Sequence, residues 1–485
     1  MEALQRLHNR GSVSTGFDID NSIKFETDNT EYLMAEGRPQ GTQTTWTWSC
    51  WLKRTEVDNG IVAQYIFSAG SDGKTGIYFR DDASSNGGDT IFIYVDEGNS
   101  LKWIGELRVS FRDTSAWYHI VFAVDSTDGT AADRTKIYVN GVQQTITFNS
   151  TLNQNVSTRV GDGGGKFAIG GKVGNTAYGF NGYIAECVLV DGSALTPTSF
   201  GEFDNDSGIW KPKDVSSLSL GTAGFYMNFD DSSNVGAVQS GTSQGNFDKY
   251  NLGSSDQATD TPTNNFCTMN MLNRTNGNSK NQDGGTKVTT DGGSGWCTMM
   301  ATMGVTKGKW YWEYFKTTDG GSNIYFGIAA SDDPYIPYSS AAQYYIGNVA
   351  EQASIGFQVS NNSIKNSNNS SAFALLSGEV LRVALDMDNG ALYFGKSTST
   401  WASSGDPTSG ASKTGASSLW ASFDDKIVLP GISVYQGGNA QANFGGYAPY
   451  TISSAASDAD GYGTFEYAPP TGYYALCTKN LEEYG

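Results

Sequence analysis

The feature that most constrains this chain is a two-residue rhythm of apolar side chains, interrupted at short intervals by turn-forming residues. In Thr45–Trp51, Trp46 and Trp48 fall on one face with Cys50, and in His119–Asp125 the residues Ile120, Phe122 and Val124 fall together. Lys309–Phe315 sets Trp310, Trp312 and Tyr314 against Tyr311, Glu313 and Phe315. Leu381–Asp388 places Leu381, Val383, Leu385 and Met387 opposite Arg382, Asp386 and Asp388, and Asn181–Asp191 is expected to show Ile184, Glu186, Val188 and Val190 on one side. A helix repeats every 3.6 residues, whereas successive side chains of a strand point to opposite faces, so this alternation specifies strands. Composition agrees: 60 Gly, 26 Tyr and 24 Phe suit short strands and tight turns. The expected fold is all-β.

The turns organise the strands into two sets. Thr135–Asn140 runs into Asn140-Gly141, and Leu381–Asp388 runs into Asn389-Gly390. Asn-Gly is the strongest two-residue hairpin signal, because both central positions of a type I′ turn need positive φ. Each half also holds a Trp-x-Trp strand. A chain of 485 residues exceeds one sandwich, so two tandem antiparallel β-sandwiches of jelly-roll type are expected. The first should span 21–230, closing at Leu195-Thr196-Pro197, and the second 264–450. Residues 231–263, rich in Ser, Gly, Asn and Asp, read as a linker, and 451–485 as a tail that packs back on the second sandwich. Residues 1–20, with Leu4 and Leu7 three apart, read as a frayed extension or a peg that docks on another protein.

Fifty acidic residues against 31 basic ones give a net charge of −19, which repels nucleic-acid phosphate and anionic membranes. No apolar run of about 18 residues is present to cross a membrane, and the start carries no leader pattern. The five cysteines (Cys50, Cys187, Cys267, Cys297 and Cys477) are dispersed, without metal-site spacing, and are expected as free thiols of a protein made in the cytoplasm and released by lysis.

The first half resembles the laminin-G-like branch of the concanavalin A-like lectin fold in Ser22–Phe25 with Glu31-Tyr32-Leu33, Thr45–Lys53, Trp117-Tyr118-His119-Ile120, Lys136–Gly141 and Phe180–Glu186. The second half resembles a SPRY domain, also a concanavalin A-like sandwich, in Gly308-Lys309-Trp310-Tyr311-Trp312-Glu313, Tyr325-Phe326-Gly327-Ile328, Ser354-Ile355-Gly356-Phe357, Leu385–Phe394 and Leu429-Pro430-Gly431-Ile432. The stretches Ala468–Leu481 and Asp260–Phe266 are similar to segments of structural proteins from marine tailed phages. The resemblance implies a virion surface protein of a bacteriophage: a tail fibre or receptor-binding component that recognises host surface polysaccharide, or a capsid decoration contacting other virion proteins. A homo-oligomer, with a trimer the guess from phage symmetry, belongs to the same implication.

Catalytic groups are scarce. There are two histidines, His8 and His119, and His119 lies in an aromatic strand, where a structural role is expected. Gly241-Thr242-Ser243-Gln244-Gly245 has a nucleophile-elbow spelling but no strand-to-helix context, and Gly73-Lys74-Thr75 lacks the first glycine of a phosphate loop, since position 68 is Ser68. A glucanase on this fold needs carboxylates paired on one strand; the nearest spelling, Glu202-Phe203-Asp204-Asn205-Asp206-Ser207, ends in serine. The expectation is therefore a protein that is not an enzyme, with a glycan-degrading enzyme as the second alternative. For contact with a sugar or a neighbouring subunit, or as cover for the sandwich edge, the loop residues Tyr335, Tyr338, Tyr344 and Tyr345 are candidates, followed by Trp401 and Trp420, which flank the loop Ala402–Leu419. No cofactor is expected except calcium, for which Asp125, Asp128 and Asp133 in the loop Asp125–Arg134 are candidate ligands.

Overall fold

The computed structural model of the chain describes residues 16–57, 63–70, 73–80, 88–97, 100–175, 177–241, 245–275, 279–290, 295–317, 321, 323–333, 344–348, 353–368, 373–419 and 423–485. The chain divides into two units, Met1–Asn264 and Asn265–Gly485. Each is nearly all β and each is built from two antiparallel sheets packed face to face.

In the first unit, one sheet runs in the order 142–143, 135–139, 117–125, 45–54, 182–191, 22–25 and 257–258, with 225–227 and 240–241 joining beside 182–191. The second runs 146–148, 100–107, 90–97, 75–80, 64–69, 167–169, 32–35 and 248–250. Their inner faces meet in a core that contains Trp46, Trp48, Cys50, Ile120, Phe122 and Val124 from the first sheet and Phe67, Ile77, Phe79, Ile91, Ile93 and Phe167 from the second. Trp48 stacks on Phe67 at 5.1 Å and Trp46 meets Phe122 edge-on at 5.4 Å. Truncating such a buried indole costs about 3–5 kcal/mol, so the Trp-x-Trp strand fixes the register of this sheet.

Two expectations need correction in this unit. The strand Gly182–Asp191 does not keep one face throughout: its register on Thr45–Arg54 shifts between Ala185 and Val188, and Glu186 has φ 51°. One extra residue in a β-bulge reverses the alternation. Ile184 therefore faces the main core with Cys187 and Leu189, while Val188 and Val190 face a second cluster with Val121, Tyr138, Phe200, Val215 and Leu220. The stretch 231–263 is also not a linker. Ser240–Gly241, Asp248–Tyr250 and Gln257–Ala258 are edge strands of the first unit, and Val235, Phe247 and Leu252 enter its core. A Ser/Gly/Asn-rich stretch extends a sheet because the ladder is made by backbone groups. At its far end the Thr263 hydroxyl contacts both the N–H and the carbonyl of Ile19. Of the N-terminal extension, residues 1–15 lie outside the described residues.

The second unit pairs a sheet ordered 269–274, 296–301, 428–435, 324–330, 354–358 and 363–365 with one ordered 279–282, 287–290, 439–443, 309–315, 380–386, 391–396 and 400–401. Trp310, Trp312, Tyr314, Leu381, Val383 and Leu385 face Phe326, Ile328, Ile355, Phe357 and Ile432 across its core. Asn140-Gly141 forms a two-residue turn with φ 48° and 78° between paired Val139 and Val142. Asn389-Gly390 does not repeat it: Asp386 pairs with Ala391, so the loop has four residues, held by Asp386 accepting from the Asn389 backbone and side-chain N–H groups.

Residues 451–485 lie on the outer face of the Lys309–Phe315 sheet. Tyr474–Ala475 pairs parallel to Lys309–Phe315, and Phe465, Tyr473, Ala475 and Cys477 bury Tyr311, Ala384 and Tyr393. The Glu313 carboxylate, fully buried, anchors this cover by accepting from the Tyr311 and Tyr450 hydroxyls (2.8 and 2.7 Å) and the Glu466 and Tyr467 backbone N–H groups (2.9 and 2.8 Å).

Candidate functional site

The outer face of the second sheet of the first unit carries a row of near-parallel aromatic rings. On Thr75–Arg80, Ile77 and Phe79 point to the core, which leaves Tyr78 and Arg80 outside; on Thr90–Glu97, Ile91, Ile93 and Val95 point in, which leaves Phe92 and Tyr94 outside. A register shift next to Tyr65 turns Ile66 and Phe67 inward together and sets Tyr65 opposite Tyr78. A second shift beside Tyr94 sets Trp103 opposite it. The Tyr65 and Tyr78 rings stack at 4.5 Å and 18°, Tyr78 and Tyr94 at 5.8 Å and 17°, and Phe92 and Trp103 at 6.1 Å and 11°. Gly76, opposite Tyr94, is required here: a Cβ would come within 2.6 Å of the Phe67 carbonyl and 3.2 Å of the Tyr65 ring.

Above the row lies a groove of about 250 Å³, lined among others by Tyr65, Tyr78, Tyr94 and Tyr178, with Lys74, Arg80 and Lys172 around it. Bulk water would fill it with roughly eight molecules. The Lys172 ammonium sits 5.4 Å from the Tyr65 ring centre and 5.5 Å from that of Tyr178, and the Arg80 guanidinium lies 5.0 Å over Phe92. Burial, with the neighbouring phenols as the next cause, holds the Tyr65 and Tyr78 hydroxyls far above the ordinary phenol range, so both stay protonated. The groove thus offers flat apolar faces, neutral phenols and cations. Among the described residues that line it there is no carboxylate or histidine.

The second polar cluster lies under the other sheet and is closed. His119 is buried; its Nδ1 is 3.0 Å from the Trp210 indole nitrogen and its Nε2 is 2.9 Å from Ser49 Oγ. Indole N–H only donates, so Nδ1 accepts and the proton of the neutral ring sits on Nε2. Burial lowers the His119 pKa to about 3, which keeps the ring neutral. His119 therefore donates to Ser49, the opposite of what activates a nucleophile. The bulged Glu186 accepts from the Tyr226 hydroxyl at 3.0 and 2.8 Å, and burial raises its pKa to about 7 against the Tyr226 bond that lowers it. A carboxyl held above its ordinary value of 4.5 keeps its proton when folded and loses it when unfolded, so stability falls as pH rises from about 4.5 to 7. Glu186→Gln is expected to remove that slope and to gain on the order of 3 kcal/mol over the wild type at pH 8, with no gain at pH 4.5; urea melts at the two pH values measure it.

The three loop aspartates are each engaged separately. Asp125 accepts from the Thr127 backbone N–H and hydroxyl (2.9 and 2.6 Å), Asp128 from the Thr130 N–H (2.7 Å), and Asp133 pairs with Lys136 at 3.3 Å. Among the described residues no three acidic, His or Cys side chains gather as a metal site. Asp204, in the glucanase-like spelling, is a turn cap: hydrogen bonds from Ser207 and the Lys211 ammonium hold its carboxyl well below the usual range.

Of the aromatic candidates, Tyr335, Tyr338 and Trp420 lie outside the described residues. Tyr345 packs on the second unit, 4.2 Å from Tyr325 and 4.5 Å from Trp296, while the Tyr344 carbonyl accepts from Thr298 Oγ1 at 3.5 Å. Trp401 is covered by the Arg382 guanidinium at 4.1 Å and fits over Gly395, where a Cβ would meet it at 2.6 Å. The structure does not bring Tyr345 and Trp401 together; they pack against different sheets. Sequence reasoning favoured loop tyrosines and missed Tyr65, Tyr78, Tyr94 and Lys172. The available signal was Ile91-Phe92-Ile93-Tyr94-Val95, apolar at both parities, which leaves large apolar side chains on the outer face whichever parity faces the core, and rings there when Ile91, Ile93 and Val95 point inward.

Residues 27–199 match the family model Laminin_G_3, the concanavalin A-like lectin/glucanases superfamily. No curated protein matches the chain. Among solved structures the chain is similar to the SPRY domain of human HERC1, at 15% identity over 36% of this chain and 96% of that one, with a TM-score of 0.25. It is also similar to a heptameric SAP-like pentraxin from Limulus polyphemus, at 19% identity over 42% and 100% of the two chains and a TM-score of 0.28. A third is a protein from Bacteroides ovatus ATCC 8483 described as carbohydrate binding, at 18% identity over 48% and 58% of the two chains and a TM-score of 0.34.

Proposed function

We propose that this chain is a non-enzymatic glycan-binding protein of a bacteriophage virion surface, a tail fibre or receptor-binding component that seats host polysaccharide in the aromatic groove of its first unit. The single observation that carries the binding reading is the row Tyr65, Tyr78 and Tyr94, whose rings lie near-parallel beneath an open groove. A pyranose presents a flat face of C–H groups that stacks on such rings, while its hydroxyls find the phenols and cations at the rim. The lectin-type family match over 27–199 covers all four strands of this face. Among the described residues that line the groove there is no carboxylate, and hydrolysis of a glycosidic bond needs a pair of them. The virion location rests on the likeness of Ala468–Leu481 and Asp260–Phe266 to segments of phage structural proteins.

The test is a panel of bacterial surface polysaccharides titrated with the full chain by calorimetry, with reducing ends assayed in parallel. The expected result is saturable binding of at least one polymer at a Kd in the micromolar range or above, with no release of reducing sugar. Release of reducing ends would overturn the non-enzymatic reading, and absence of binding across the panel would overturn the glycan reading. Immunogold labelling of intact particles is expected on tails; labelling of heads would move the protein to capsid decoration.

A further inference from the structure

The chain carries 19 more acidic than basic residues, yet the groove is lined by Lys74, Arg80 and Lys172 and, among the described residues, by no Asp or Glu. Lys172 is the informative one. Its ammonium is placed over two tyrosine rings, and no carboxylate lies within ion-pair distance of it among the described residues. A cation resting on ring faces keeps its hydrogen-bonding directions available to a third group, since the rings attract it through their quadrupoles and do not neutralise it. Other lysines of the same unit sit on carboxylates: Lys53 on Asp260, Lys102 on Glu97, Lys166 on Glu36, and Lys211 on Asp204 and Glu202.

We infer that the sugar units taken by this groove are anionic, carrying a carboxylate or a sulfate that pairs with the Lys172 ammonium while the C–H face of the sugar stacks on the tyrosines. This deepens the glycan-binding reading and rests on it. The acidic surface as a whole repels an anionic polymer, so such a ligand is held only where the charge is locally reversed, and the groove selects it by position. An anion on Lys172 makes a charge-assisted hydrogen bond that a neutral sugar cannot make.

Three polymers test it with the full chain: dextran as the neutral case, polygalacturonate for carboxylate and dextran sulfate for sulfate, each at low and at physiological salt. The expected result is that one or both charged polymers bind on the order of tenfold or more tighter than dextran, with the preference shrinking as salt rises. The stronger of the two charged arms names the anion. Lys172→Ala is expected to narrow the preference for the charged polymer, and Lys172→Arg to retain it. Dextran bound as tightly as both charged polymers would overturn this inference while leaving glycan binding intact. A preference that persists unchanged in Lys172→Ala, with circular dichroism unaltered, would overturn the placement at Lys172. Failure of all three polymers, together with failure of the surface-polysaccharide panel, would overturn the glycan reading itself.

Discussion

Asp260→Ala is expected to destabilise the first unit by about 3–5 kcal/mol, the cost of removing one partner from a buried ion pair. Asp260 accepts from the Lys53 ammonium at 2.7 Å and from the Trp117 indole N–H at 3.0 Å, and the Lys53 and Asp260 side chains are 0% and 1% exposed. Both donors keep their polarity when the carboxylate goes, and neither has water to turn to. The effect depends on the asymmetry between breaking a pair and replacing it. In the double variant Lys53→Met with Asp260→Leu, much of the loss should return, because apolar residues of similar volume restore packing without a stranded charge. At roughly 2–4 °C per kcal/mol for a unit of this size, the single variant should lower its melting temperature by about 6–20 °C, read by calorimetry. A loss below about 1 kcal/mol would return residues 231–263 to the status of a linker.

The second large effect is expected at Glu313. Alanine there leaves the Tyr311 and Tyr450 hydroxyls and the Glu466 and Tyr467 N–H groups facing an apolar gap. Each unsatisfied buried donor costs about 1–3 kcal/mol, and the four act as one network, so the sum is not taken; a loss of about 3–5 kcal/mol is the expectation for Glu313→Ala. The location of the damage is more telling than its size. Three of the four donors come from residues 450–467, so the variant should release the C-terminal cover before the sandwich opens. Limited proteolysis should then cut after Tyr450 while the strands Lys309–Phe315 and Val380–Asp386 stay protected. A Glu313→Ala protein that melts in one step, with the tail as resistant as in the wild type, would contradict this role.

How much of this was legible in the sequence follows from what each feature depends on. Alternation depends on neighbours two residues apart, and it placed Trp46, Trp48 and Cys50, as well as Leu381, Val383 and Leu385, on the faces where they lie. The bulge at Glu186 depends on one extra residue in a strand whose flanking residues are apolar at both parities, and nothing local marks it. The edge strands Ser240–Gly241 and Asp248–Tyr250 are held by backbone bonds, the first to the nearby Phe225–Met227 and the second to the distant Tyr32–Ala35, so their Ser, Gly and Asn content reads as a linker. Asp260 and Lys53 are 207 residues apart, beyond any motif.

The site was the least legible part. Loops commonly carry function, which points to the loop tyrosines. The rings of the groove instead sit on strands, at outer positions that sequence alone does not distinguish from core ones. Lys172 joins them only through the fold, since it follows the strand Phe167–Ile169 that pairs with Gln64–Ala69. The mutual position of four strands, two of them with register shifts, makes the row.

Hydroxyl-radical footprinting of the full chain, with and without a bound polysaccharide, tests the central claim most directly, because it reports where the sugar sits. Tyr94, Trp103 and Tyr178, the half-buried rings of the row, should lose reactivity on binding, while Trp296, Tyr345 and Trp401 of the second unit should not change. Saturable binding that leaves Tyr94, Trp103 and Tyr178 as reactive as before, and protects the second unit's rings instead, would contradict the assignment of the groove.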